Sequence, residues 1–153
     1  MQLESPSFLD LPNSCIVDSA TSHTILRDRA YFQTITPSKR QVTTIMGRYQ
    51  LEEGYGPATL ILPQGTKIHI KSAIYAPKAT WNLLSFRDIR ENNLHIHIGI
   101  QDSTEVLNIM EQTPTGMALR ETMTALPLGF YATTTHTYHT QAMSPSATEV
   151  WDK

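Results

Sequence analysis

The hexad Asp18-Ser19-Ala20-Thr21-Ser22-His23 is the part of this chain whose residue types could do chemistry. An acid ends the apolar, partly β-branched run Cys15-Ile16-Val17 and is followed by small and hydroxyl residues. Such a carboxylate suits water activation by a facing pair of acids. Like charges about 3 Å apart cannot both ionise, so the pair shares one proton. The ionised member takes a proton from water and the other polarises a carbonyl. The loop after the acid must be compact, so that backbone and hydroxyl groups can fix both carboxylates. Read without context, an Asp-Ser-Ala triplet is a weak signal, and a turn or cap aspartate outranks catalysis. Asp102-Ser103-Thr104 looks superficially like a second such acid, but it reads as a turn. One acid per chain would require a second copy of the chain to complete the pair.

Other chemical residues give bland readings. His95 and His97 lie two apart in an alternating segment and so share a face, but no Cys or carboxylate follows at ligand spacing, and a polar strand face is expected. His136 and His139 fall in a region expected to be solvent-exposed tail, and His23 is expected to hydrogen-bond its own loop. Cys15, the only cysteine, reads as an inert core thiol. Neither a Ser-His-Asp arrangement nor a phosphate-binding glycine loop stands out, and neither metal nor cofactor is expected.

The elements that must position Asp18 are mostly strands. Cys15–Val17 reads as a buried strand. Residues 26–32 suit one or two helical turns, stopped by Pro37. Strands are expected over Val42–Met46, Tyr49–Glu53 and Ala58–Leu62, then a turn at Pro63-Gln64-Gly65-Thr66. Lys67–Lys71 and Leu94–Ile98 alternate polar and apolar residues, and Ala73–Tyr75 continues the first of them. Ser85–Asn92 is the best helix candidate, with Ser85 as cap and Asp88 three residues on. A hairpin over Glu105–Glu111 and Met117–Glu121 and a short strand within Leu128–Thr133 complete the pattern. Many short strands and one short helix make a mostly β barrel or sandwich.

With 153 residues, 40% of them hydrophobic, the chain can bury one core. A net charge of −2 offers no basic surplus for nucleic acid. The absence of a long apolar run or a leader pattern leads us to expect a soluble, non-secreted chain with no membrane contact. A single cysteine rules out an internal disulfide framework.

Several ordered motifs carry a resemblance. Cys15 to Ile25 resembles the copia-type retrotransposon pattern of a hydrophobic residue, Asp-Ser-Gly, then Ala-Thr-Ser-His. Leu26 to Phe32, Ala73-Ile74-Tyr75-Ala76-Pro77, Asn82-Leu83-Leu84-Ser85 and Gly129-Phe130-Tyr131 look like the same elements, plant ones especially. Val150 to Lys153 looks like the start of a pre-integrase region. The resemblance spans about 14–133 and implies the retropepsin-like segment of a Pol polyprotein: a closed β-barrel with one short helix and an extra C-terminal hairpin. It implies a linker over 1–13, the barrel over 14–100, additional strands over 101–133, and a flexible tail over 134–153. Asp18 would be the catalytic acid of an aspartic endopeptidase, in a loop with Ser19, Ala20 and Thr21, and Ser19 would hydrogen-bond across a homodimer. Leu83, Leu84 and Ser85 would support that loop. Residues 44–60, with Gly47, Gly54 and Gly56, would form the flap, the glycines permitting positive φ, although ordinary turns explain them equally well. The substrate would be a Gag-Pol polyprotein peptide, met in a cytoplasmic virus-like particle. Trp81 would be a core or dimer anchor. The family's usual glycine is missing at Ala20, where a Cβ would crowd substrate or demand another φ. The rival expectation is a non-catalytic or decayed module of the same barrel. The zinc-binding cysteines that follow in such polyproteins are absent, so the chain reads as a fragment or a decayed copy.

Overall fold

A computed structural model describes residues 13–43, 49–127 and 130–137. Among the described residues eleven strands form one sheet: β1 (Ser14–Asp18), β2 (Ile25–Leu26), β3 (Thr36–Thr43), β4 (Tyr49–Ile61), β5 (Lys67–Tyr75), β6 (Asn82–Ser85), β7 (Leu94–Gln101), β8 (Thr104–Thr113), β9 (Gly116–Ala125), β10 (Tyr131–Thr134) and β11 (His136–Thr137). One α-helix, α1 (Phe86–Arg90), follows β6, and Arg29–Tyr31 forms a 3-10 turn capped by Asp28. The spatial order is β11-β4-β5-β2-β6-β1-β10-β9-β8-β7, with β3 also on β4. Among the described residues no helix is long and apolar enough to cross a membrane.

β1 occupies the middle of this order. It pairs in parallel with β6 (Ile16 with Leu83, Asp18 with Ser85) and antiparallel with β10 (Val17 with Tyr131). A strand hemmed in on both edges and both faces should be an unbroken apolar run, as Cys15-Ile16-Val17 is. Side chains alternate across it. Cys15 and Val17 enter the main core with Leu60, Leu62, Ile68, Leu84, Ile89, Leu107, Ile109 and Met123. Ile16 enters a smaller cluster with Ile25, Ile74 and Leu83, flanked by Trp81, Leu126 and Phe130.

The sheet is curled but open. No pairing among the described residues joins β7 to β3 or β11, so the expected closed barrel is not formed by backbone hydrogen bonds. The curl is held in another way. Leu107, Ile109 and Met123 of the β8–β9 hairpin share one core with Leu60 and Ile68. Buried Glu121 of β9 accepts hydrogen bonds from the Gln64 and Thr66 backbone N–H groups of the β4–β5 turn, at 3.1 and 3.2 Å. A carboxylate clip and packing replace the missing ladder. The strands of 101–133 belong to this same sheet, with β10 directly beside β1.

Two expected strands merge into one. Tyr49–Glu53 and all of Ala58–Leu62 but Leu62 lie within the thirteen-residue β4, which runs through Gly54, Gly56 and Pro57 with a register shift between Gly56 and Ala58. Proline is tolerated at such an irregularity. The glycines are there because the chain over 34–36 crosses them. A Cβ on Gly54 would sit 2.3 Å from Ile35 Cγ2, and one on Gly56 would sit 2.2 Å from the Thr34 carbonyl oxygen. Overpacking of this kind costs about 1–3 kcal/mol or more. Gly56→Ala should therefore lower the urea midpoint by at least that equivalent. An unchanged midpoint would show that the two segments do not approach this closely.

Candidate active site

Asp18 closes β1 and turns the chain. One carboxylate oxygen accepts from the Ala20 N–H at 2.8 Å and the other from the Thr21 hydroxyl at 2.8 Å. This local capture by an aspartate two and three residues upstream makes a tight Asx-type turn. Asp18 is only 3% exposed, whereas Ser19, Ala20, Ser22 and His23 are exposed. By the alternation of β1, Asp18 shares the face of Ile16 and not the main core face of Val17. Ala20 is not among the residues with positive φ, so its Cβ is compatible with the turn. His23 Nδ1 lies 3.1 Å from the Ser22 hydroxyl, within the loop.

A buried hydroxyl circuit fastens this loop to the rest of the protein. Ser85 caps α1, its hydroxyl accepting from the Asp88 N–H at 3.3 Å. The Ser85 N–H donates to the Thr24 hydroxyl at 3.1 Å, and that hydroxyl donates to Asp88 Oδ2 at 2.7 Å. The return arm of the capping arrangement thus passes through a third residue. Thr24 also accepts from the Ile74 N–H through its carbonyl oxygen, tying the loop's end to β5. Asn82 adds a second clamp, accepting from the Arg27 N–H and donating to the Ser14 carbonyl oxygen. Sequence reading singled out Ser85 and Asp88 but passed over Thr24. The available signal was a hydroxyl residue directly before the apolar pair Ile25-Leu26.

The other expected site residues fall in definite places. Leu83, Leu84 and Ser85 form β6, alongside β1, with Leu84 in the main core and Leu83 in the smaller cluster. Of the stretch 44–60 expected as the flap, residues 44–48 lie outside the described residues and 49–60 belong to β4. Gly54 and Gly56 lie within β4, where they serve close approach and neither has positive φ. Gly47 lies outside the described residues, as do His139 and the motif near Val150. Asp102 and Ser103, with φ of 52° and 65°, form the two-residue β7–β8 turn, as read from the sequence. The His97 ring lies over Gly99. Among the described residues no three His, Cys, Asp or Glu side chains group as a metal site. Concavities of about 580 and 460 Å³ are lined by residues such as Leu94 and Glu111, and neither includes the loop after Asp18. Among the described residues the loop after Asp18 is a surface feature.

A family model described as the β-barrel domain of the Pol polyprotein matches residues 15–94, just over half of the chain, from β1 to the start of β7. No curated protein matches the chain.

Two measurements test the site's construction. Thr24→Val should cost about 1–3 kcal/mol by leaving Ser85 N–H and Asp88 without their shared partner, while Thr24→Ser should retain most of the stability. Equal stability of the valine variant in urea titrations would remove the circuit from the account. Burial pushes the Cys15 thiol from 9.0 up to about 12. The folded protein then keeps a proton that the unfolded chain releases, so stability should fall as pH rises from 9.0 toward 12, by about 1.4 kcal/mol per pH unit. Cys15→Ala should flatten that decline, and a decline identical in both proteins would contradict the assignment.

Proposed function

The chain belongs to the Pol polyprotein β-barrel domain family of retrotransposons, and from that premise we propose that it is an aspartic endopeptidase domain that processes its own polyprotein as a homodimer. The observation that carries this reading is the capture of both Asp18 oxygens by its own loop. Such capture orients a carboxylate before substrate arrives, which is what general base catalysis requires. One acid cannot both activate water and polarise the carbonyl. The partner acid comes from a second copy, with the two Asp18 side chains on the two-fold axis sharing one proton. Water attacks the scissile carbonyl carbon, giving one proton to the ionised Asp18. The protonated Asp18 hydrogen-bonds the carbonyl oxygen, and proton return to the amide nitrogen releases both products. On this reading Ser19, which is exposed, hydrogen-bonds across the axis, and the β3–β4 hairpin covers the bound peptide. Assignment to copia-type, plant-like elements, a retropepsin-like relationship and action in cytoplasmic particles belong to the same proposal.

A second reading has its own support. An aspartate 3% exposed with both oxygens engaged also describes a structural turn, and Ala20 stands where the copia-type pattern has glycine. On that reading the chain is a non-catalytic β module of the polyprotein. Cleavage of a Gag-Pol peptide at a pH of about 5 separates the two. The protease reading expects pepstatin-sensitive cleavage that falls about 10²–10⁴-fold in Asp18→Asn. Equal cleavage by both proteins, or none from a confirmed dimer, would establish the structural reading.

A further inference from the structure

The two ends of the sheet are guarded very differently. At one end β11 is two residues long, and β3 carries Pro37, Lys39, Arg40 and a register shift between Pro37 and Arg40. Proline, cations, irregularity and shortness are the devices that stop an edge from recruiting another strand. At the other end β7 has none of them. Its eight residues, Leu-His-Ile-His-Ile-Gly-Ile-Gln, contain no proline and no Asp, Glu, Lys or Arg. They pair with β8 rung by rung without a shift, and among the described residues β8 is the sole strand partner. Ile98 is 45% exposed and Ile100 is 73% exposed. Ile96 and Ile98 face Ile109 and Leu107, both fully buried, so the exposed isoleucines continue the core face of the sheet past its last strand.

The strand is also self-complementary. Antiparallel pairing about Ile98 sets Ile98 opposite the partner's Ile98 and Ile96 opposite the partner's Ile100, three apolar rungs on one face. On the other face His97 lies opposite the partner's Gly99, over which the partner's own His97 ring sits, and His95 lies opposite the partner's Gln101. No like charges oppose each other at any rung. We propose that the β7 edge is a self-association surface, pairing antiparallel with β7 of a second copy about a two-fold axis at Ile98. The occupant is a copy of this chain because the strand offers no charge with which to select a charged peptide, while its pattern matches its own reverse.

This surface is not the one through which two Asp18 loops would meet. β10, β9 and β8 lie between β1 and β7, a separation of about 19 Å along the sheet. It needs no proteolytic activity, and its test does not read any. Sedimentation of the full chain over a range of concentrations should show reversible association, a dimer through this edge alone and longer rows of copies where the Asp18 loops pair as well. Ile98→Lys and Ile100→Lys, each exposed and each checked for folding by circular dichroism, should weaken that association at least about tenfold. Asp18→Asn should leave the β7-dependent part unchanged, which keeps failure here distinct from failure of the protease reading. Mild oxidation of Ile98→Cys should yield a disulfide-linked dimer, since Cys15 is buried. A monomer at every concentration, or folded lysine variants that associate like the parent, would each overturn the proposal.

Discussion

The parallel pairing of β1 with β6, sealed by the Thr24 hydroxyl, is the constraint on which this structure depends. Parallel neighbours cannot be joined by a tight turn, so β2 to β5 are strung between Asp18 and Asn82. The pairing therefore brings together two segments more than sixty residues apart. Where they meet, the Ser85 N–H, the Thr24 hydroxyl and the Asp88 carboxylate are all buried. Buried polar groups are costly unless each finds a partner, and a circuit of this kind is satisfied only when every member is in place. It sets the start of α1, the exit of the Asp18 loop and the insertion of β2 between β5 and β6 at once.

The curled, open sheet has a direct consequence for chemistry. A hairpin folded over the core and held by Glu121 covers the apolar interior, yet it leaves the loop after Asp18 on the surface. The single chain supplies an oriented carboxylate and a candidate flap. On the proposed reading the second acid comes from another copy, and function arises through assembly, with the monomer as half of a site. The β7 edge carries none of the proline, charge or irregularity found on β3, which is the ground for the contact proposed there.

Local order was readable in the sequence wherever a short-range rule decides it. The buried run before Asp18, the alternation of Lys67–Lys71 and Leu94–Ile98, the Ser85 cap and the Asp102-Ser103 turn all depend on neighbours only. The continuity of β4 was not readable, because Gly54, Gly56 and Pro57 carry the same signals as a break. Only the crossing chain over 34–36 explains them. β11 was hidden for a similar reason: His136-Thr137 sits in a stretch that reads as tail, and its partners Leu60 and Ile61 lie far away in the chain. Thr24 looked like one hydroxyl among many, since its role depends on residues sixty positions later. Barrel closure, a property of strand ends that never become neighbours in sequence, could come only from resemblance, and the backbone pairings do not make it.

The central claim is that Asp18 works only opposite its own copy. Mixing parent chain with Asp18→Asn in varying proportions, at fixed total concentration and after subunit exchange, tests it most directly. A shared pair in which one asparagine is disabling makes peptide cleavage fall as the square of the parent fraction. A linear fall would mean that each chain acts alone, and would contradict the account.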